Sequence, residues 1–276
     1  MIKKVVYSHW SKPMGKSSAV GFNSLKMFAA SAQLSVRLNL KYFKDVELVT
    51  DKAGYDLLIK RFKVPFTNVV VCLDEMNHVQ SRHWNMAKLK ACSLQTEPFM
   101  HQDLDVYWLK KPEDRLLNAS VFAQDVENNP ETDALFYKPY IDHAKEHFKD
   151  IPKYIDTSDY SAINCGVVGF NDLSIIDKWV EDAWSYVDYY EKFDVEATFK
   201  DLGGVVAEQA ILYHLLKSRD TNVEYVLSKA SEKYNKNDAG FIHLIASTKR
   251  EPENEQLLMS RLASLSTEAF KSVHLL

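Results

Sequence analysis

The stretch Phe99-Met100-His101-Gln102-Asp103-Leu104-Asp105-Val106 decides how the chain reads: an apolar run ends in two carboxylates spaced two residues apart. Leu104 and Val106 continue the alternation expected of a strand. In an open α/β sheet the chain leaves the sheet at the carboxyl end of a central strand, and ligands bind there. Two aspartates at that edge can hold one hard divalent cation through oxygen ligands. Such a cation can bridge two phosphates, so the implied partner is a nucleotide diphosphate. Taken alone, Asp-x-Asp also describes a solvated turn; its surroundings must decide.

Towards the N-terminus, Val5-Val6-Tyr7 is a short apolar run ending in Ser8-His9-Trp10, followed by a loop, Ser11 to Gly21. Asn23 or Ser24 is suited to cap a helix whose stripe is Leu25, Phe28, Ala29, Ala32, Val36, Leu40 and Phe43. Glu47-Leu48-Val49-Thr50-Asp51 reads as a second strand, Tyr55 to Phe62 as a helix, and Val69 to Leu73 as a third strand. A helix from Trp84 to Leu94 then leads into the opening stretch. Strands alternating with helices predict an α/β fold, a Rossmann-like and mostly parallel sheet with helices on both faces. Residues 1–112 form a nucleotide-binding half on this reading.

Residues 113–250 read as a second half, whose loops and strands build one wall of a site. Asn128-Asn129-Pro130, Lys138-Pro139 and Thr157-Ser158-Asp159 punctuate it into short loops and strands. Ile163 to Phe170 is an apolar strand whose Gly166 and Gly169 indicate a close approach. A helix with the stripe Ile176, Trp179, Val180, Ala183, Trp184 and Val187 follows; another carries Glu208 and Gln209 on to Leu216. Gly240 to Ile245 reads as a short strand before Lys249, and residues 251–276 as one amphipathic helix. There is no repeat or low-complexity linker, which predicts a single domain. Trp84, Trp179 and Trp184 are assigned to the core.

Composition sets the outer limits. Of 276 residues, 46% are hydrophobic and 26% charged, and the net charge is −4, which offers no general attraction to nucleic acid or anionic lipid. Cys72, Cys92 and Cys165 have wide spacings and no C-x-x-C, as suits buried thiols in a reducing compartment. No stretch reaches the ~18 apolar residues of a transmembrane helix. The N-terminal apolar run breaks at Ser8 and His9, too early for a signal peptide. A cytoplasmic protein with no transmembrane segment and no nucleic-acid partner is expected.

With these elements in order, the sequence resembles the GT-A class of nucleotide-sugar glycosyltransferases, and within it the retaining galactosyltransferase and glycogenin-like branch. The resemblance rests on Asp103-Leu104-Asp105, on Lys88 in the preceding helix, and on Asn164-Cys165-Gly166. Glu208-Gln209 at a helix start and the stretch from His243 to Lys249 complete it. It spans about residues 1–250. The chain is similar also to a bacterial relative of that branch that shares the Trp10 strand end and Val49-Thr50-Asp51. Ala246 stands where the branch usually has Gly, and Glu208 where it more often has Asp.

The resemblance implies a hexosyltransferase dependent on Mn2+ or Mg2+. Its donor would be a nucleotide-sugar, with UDP-sugar favoured, and its acceptor a carbohydrate, glycolipid or polysaccharide hydroxyl. Asp103, Asp105 and His243 would hold the metal; Lys88, Lys249 and Asn164 would contact the donor. Ser8, Trp10 and Asp51 would lie where the base and ribose sit. Gln209 or Glu208 would act at the open face of an oxocarbenium-like sugar. Each residue also has a plainer reading: His243 as a core histidine, the lysines as solvated charges, Glu208 as a helix-start acid.

Three rivals follow. A sugar-phosphate nucleotidyltransferase wants a Gly-rich loop after the first strand, which Ser11–Gly21 lacks. A binding module could keep the fold without turnover. His143-Ala144-Lys145-Glu146-His147 matches the H-x-x-E-H pattern of zinc peptidases, on a highly charged helix with few apolar neighbours to shape a dry site.

Overall fold

The computed structural model describes residues 1–14, 19–130, 133–149, 151–192, 203–228 and 238–274. Its strands are β1 Lys4–His9, β2 Asp45–Thr50, β3 Asn68–Val71, β4 Phe99–Gln102, β5 Val106–Trp108 and β6 Val121–Ala123. The later ones are β7 Val126–Glu127, β8 Ala162–Ile163, β9 Val167–Phe170, β10 Val223–Tyr225 and β11 Phe241–His243. The helices are α1 Leu25–Asn39, α2 Lys52–Tyr55, α3 Met86–Ser93, α4 Asp114–Asn118 and α5 Asp133–His147, then α6 Ser174–Lys192, α7 Gly203–Ser218, α8 Pro252–Leu265 and α9 Thr267–His274.

Seven strands form one sheet in the order β10-β6-β9-β4-β1-β2-β3. All neighbours run parallel except that β9 is antiparallel to both β4 and β6. The expected mostly parallel α/β sheet is therefore the observed one, and strands from both halves of the sequence share it. Side-chain alternation sends Val6, Phe99, Val168 and Phe170 to one face, beneath α3, α5, α6 and α7. Val5, Tyr7, Met100 and Val167 face the other way, beneath α1, α8 and α9. Helices cover both faces, which is what such two-sided strands require.

Local chemistry explains the element ends. The Ser24 hydroxyl accepts from the Met27 amide at 3.2 Å and starts α1. The helical stretch expected over Tyr55–Phe62 begins at Lys52, where Asp51 caps it, and continues as a π-helical segment, Asp56–Arg61.

Four expectations are corrected. The tail is two helices, because Ser266 is extended and its hydroxyl accepts from the Ala269 amide, starting α9. Ile163–Phe170 is not one strand: Asn164, Cys165 and Gly166 separate β8 from β9. Residues 113–165 hold α4 and the 15-residue α5, with Pro139 inside it, where mostly loops and strands were expected. Lastly, β4 stops at Gln102, so Asp103-Leu104-Asp105 is a turn between β4 and β5 and not a strand continuation.

That turn is held from three sides. Ser31 and Ser35, one turn apart on α1, donate to the carbonyls of Leu104 and Val106 at 2.8 and 2.7 Å. The Asp103 amide donates to the Gly166 carbonyl at 2.9 Å, and the Leu244 amide to the Asp105 carbonyl at 3.0 Å. Just before it, Gln102 donates to Tyr7, Ser35 and the Val106 carbonyl. A buried polar network satisfied in this way rigidifies what it touches. No helix among the described residues is long and apolar enough to cross a membrane.

Candidate functional site

A cavity of about 790 Å³ opens at the carboxyl ends of β1 and β4. Its wall includes Ser8, Trp10, Lys88, Asp103, Asp105, Asn164, Glu208, Gln209, His243 and Lys249. The sequence-predicted residues thus converge, with one exception. Asp51 stands outside this wall: its Oδ2 accepts from the Ser11 amide and hydroxyl at 3.0 and 2.5 Å, and its Oδ1 from the Gly54 amide at 2.7 Å. Asp51 caps a helix and ties down the loop after β1.

Strand register places the metal-ligand candidates. The antiparallel pair β5–β11 sets His243 opposite Val106, and therefore beside Asp105. His243 Nε2 lies 3.5 Å from Asp105 Oδ1, while its Nδ1 bonds Gln124 Oε1 at 2.7 Å. One ligand atom each from Asp103, Asp105 and His243 fits within 4.8 Å. Among the described residues this is the one group of three such side chains placed to share an ion, and the H-x-x-E-H segment forms no second one. His143 instead bonds the Tyr189 hydroxyl at 2.7 Å.

Asp105 Oδ1 is buried without a hydrogen-bond partner among the described residues. Two carboxylates, one with an unsatisfied oxygen, and an imidazole oriented by a carboxamide make a donor set that fits Mn2+ or Mg2+. Gly166 is what lets His243 approach: a Cβ there would lie 2.3 Å from the His243 ring and 2.6 Å from Gln124. The close approach expected at this glycine is made by those two side chains.

Charge is balanced in two groups of different character, a pair at Lys249 and a triad at Lys88. Lys249 Nζ sits 2.5 Å from Asp105 Oδ2. Burial would raise the Asp105 pKa, but Lys249 and the His243 contact outweigh it and hold the carboxyl well below the usual range. Lys88 Nζ reaches Glu208 at 2.6 Å, Asp103 at 3.0 Å and the Cys165 carbonyl at 2.7 Å. Burial would lower the Lys88 pKa, yet Asp103 and Glu208 together raise it, so the ammonium stays charged. Burial raises the pKa of both acids against the pull of Lys88. Glu208 is only 1% exposed, beneath Lys88.

Ala246 has φ of +50°, the left-handed region that favours glycine. The alanine keeps the conformation and carries its strain, while the turn delivers Lys249 to Asp105.

Several wall residues were not anticipated. Glu127 and Tyr137 form its polar floor, with Gln124 behind the wall against His243: Asn164 donates to Glu127 at 2.8 Å, Tyr137 reaches Glu127 at 2.5 Å and also contacts Gln209. Gln124-Asp125 follows the apolar Val121-Phe122-Ala123 much as Gln102-Asp103 follows Phe99-Met100, a signal that could have found Gln124. Trp84, assigned to the core, is 48% exposed and lines the cavity with Phe136, itself 37% exposed. Trp84 is turned outward while its neighbour Asn85 is buried and donates to the Gly204 carbonyl at the start of α7. Trp179 is buried in the core as expected.

The fold is mixed α/β, of the GT-A and Rossmann-like kind. The chain belongs to the family described as "Family of unknown function (DUF6734)", whose model matches residues 3–276. No curated protein matches the sequence. Among solved structures, the bifunctional glycosyltransferase WbbM is similar, with a TM-score of 0.50 at 12% identity over 98% of this chain and 51% of that one. Mouse xyloside xylosyltransferase 1 aligns with a TM-score of 0.45 at 13% identity over 88% and 97% of the two chains. The inositol-1-phosphate CTP transferase of T. maritima gives 0.42 at 8% identity over 95% and 96%. At 12% identity the likeness to WbbM is one of fold alone.

Proposed function

We propose that this protein is a metal-dependent glycosyltransferase that moves a hexose from a nucleoside-diphosphate sugar, a UDP-sugar by preference, to a carbohydrate hydroxyl. The observation that carries the reading is the convergence of Asp103, Asp105 and His243 with two lysines on one cavity. Its 790 Å³ falls within the ~300–1,000 Å³ usual for small-molecule sites.

Asp103, Asp105 and His243 would hold Mn2+ or Mg2+, which supplies positive charge against a departing diphosphate. Lys249 brings a cation to the same corner, suited to a phosphate oxygen. Lys88 is tied down by two acids and a carbonyl, so it fixes Asp103 in place and presents its remaining field to the donor. Asn164 orders the bend between β8 and β9, its Oδ1 accepting from the Gly166 amide at 3.0 Å. Ser8 and Trp10 line the cavity at the end of β1 and would face the nucleoside.

Glu208 is committed to Lys88, which leaves Gln209 as the group of this pair free to face the sugar. Its amide can approach developing positive charge without bringing a second carboxylate to the anomeric carbon. The exposed rings of Trp84 and Phe136 favour a carbohydrate acceptor, because aromatic faces cover the apolar faces of sugars. The same chemistry would serve a free sugar, a glycolipid headgroup or a polysaccharide end.

The test is release of UDP from a panel of UDP-sugars with Mn2+, with and without simple glycoside acceptors. Wild type is expected to release UDP, and Asp105→Ala to lose at least ~100-fold, as expected on removing a charge-stabilising group. Wild type inactive on every nucleotide sugar, or Asp105→Ala equal to wild type, would overturn the proposal.

A further inference from the structure

Tyr137 is a buried residue of α5 whose hydroxyl lies between two oxygen-bearing side chains. It is 2.5 Å from Glu127 Oε2 and also contacts the Gln209 carboxamide through the atom placed as Oε1, so two acceptors face one hydroxyl. A phenol has one proton and can donate to only one of them. Burial, reinforced by the Glu127 carboxylate, pushes the Tyr137 pKa well above its ordinary value, so the proton stays on the phenol. Glu127 accepts at both ends, from Tyr137 on Oε2 and from Asn164 Nδ2 at 2.8 Å on Oε1. The phenol proton therefore goes to Glu127, and the contact with Gln209 must be donated from the Gln209 side.

A carboxamide satisfies that demand with its nitrogen. Which end of an amide is oxygen is assigned from its hydrogen-bond network. With Oε1 towards Tyr137 the two acceptors would compete for one proton; turning the amide over, so that Nε2–H points at Tyr137, satisfies all three groups. The carbonyl oxygen is then the end left to the cavity that Gln209 lines. The bonds run head to tail, from the Gln209 amide to the Tyr137 hydroxyl to the Glu127 carboxylate. Such chains polarise their members, which makes the amide oxygen more negative.

We propose that Tyr137 and Glu127 are positioning residues that lock the Gln209 carboxamide with its carbonyl oxygen towards the anomeric carbon of the bound sugar. Without the tyrosine hydroxyl the amide is free to present its NH2 group, which repels the positive charge that develops there. Tyr137 and Glu127 touch no substrate in this account; they act through Gln209. The assignment rests on the glycosyltransferase reading above, and its test separates the two.

Tyr137→Phe, Gln209→Ala and the double variant are compared for hydrolysis of UDP-glucose and UDP-galactose with Mn2+, and for donor binding by calorimetry. Tyr137→Phe is expected to lower kcat about 10- to 100-fold, the scale of a misplaced catalytic group, with donor Kd unchanged within about twofold. The double variant is expected to be no slower than Gln209→Ala, because both changes remove one function. Full hydrolysis by Tyr137→Phe, or losses that multiply in the double variant, would overturn the assignment while leaving the functional reading intact. If wild type turns over neither donor, the side-chain amide signals of 15N-glutamine-labelled protein decide instead. The Gln209 NH2 pair, identified by its loss in Gln209→Ala, should have one strongly shifted proton that Tyr137→Phe abolishes. An unshifted pair in wild type would overturn the assignment.

Discussion

Replacing Lys88 with methionine keeps an apolar stem and removes the charge. Lys88 is 4% exposed and Glu208 1%, so neither charge has water to turn to. The ammonium lies 2.6 Å from Glu208 and 3.0 Å from Asp103. Without it, a buried carboxylate is left near a second one. Breaking a buried pair by removing one partner costs about 3–5 kcal/mol, a large part of a typical total stability of about 5–15 kcal/mol. With a urea dependence of roughly 3 kcal/mol per molar, the unfolding midpoint should fall by about 1–1.7 M.

The loss should also depend on pH, with a definite sign. Glu208 already has a pKa raised above 4.5, by burial first, and losing Lys88 raises it further. An acid with a raised folded pKa favours the folded state at low pH and loses that advantage as pH rises through the folded value. The deficit of Lys88→Met should therefore be greatest at pH 7.5 and shrink towards pH 5. Lys88→Met/Glu208→Gln should recover most of it at pH 7.5. Urea titrations followed by circular dichroism at both pH values measure this. A loss under about 1 kcal/mol at pH 7.5, or one that ignores pH, would refute the reasoning that these charges are held out of water.

Gly166→Ala should destabilise by about 1–3 kcal/mol and weaken Mn2+ binding at least tenfold, because its methyl would meet the His243 ring and Gln124; wild-type calorimetry and melting would contradict this. At Ala246, φ of +50° predicts that Ala246→Val melts lower by about 1–2 kcal/mol equivalent, while Ala246→Gly is neutral or up to about 1 kcal/mol more stable. A valine variant that melts with wild type would count against that strain. His9 has its pKa lowered to about 4 by burial, partly offset by Asp51, against 6.5 in the unfolded chain. The unfolded chain alone binds that proton between those values, so stability should fall by about 3 kcal/mol as pH drops from 6.5 to 4. His9→Gln should flatten that slope, and an unchanged slope would rule His9 out as its source.

What was legible in the sequence was legible for local reasons. The apolar runs of β1, β2 and β4 are largely buried on both faces, and with the half-exposed edge strand β3 they read as strands without outside help. Asp103 and Asp105 stand just beyond the end of β4, where a polar residue after an apolar run is conspicuous, whereas His243 and Lys249 were reached through the resemblance. Glu127 and Tyr137 were not legible, because their meaning lies in contacts with Asn164 and Gln209 that are 37 and 72 residues away. Trp84 was misassigned because aromaticity alone does not tell a core side chain from one left at a cavity mouth. The second tail helix was missed because the apolar period runs on past Ser266, whose hydroxyl restarts the helix. Asp51 has the same composition signal as Asp105; only the fold separates a helix cap from a cavity wall.

The central claim is that Asp103, Asp105 and His243 bind a divalent ion that is needed to hold a nucleotide sugar. Titration calorimetry of UDP-sugars into the protein, with Mn2+ and again with EDTA, tests it most directly. The account predicts binding with Mn2+, none with EDTA, and none with Mn2+ in Asp105→Ala or His243→Ala that retain wild-type circular dichroism. Binding that is equally strong in EDTA, or undiminished in both variants, would contradict it.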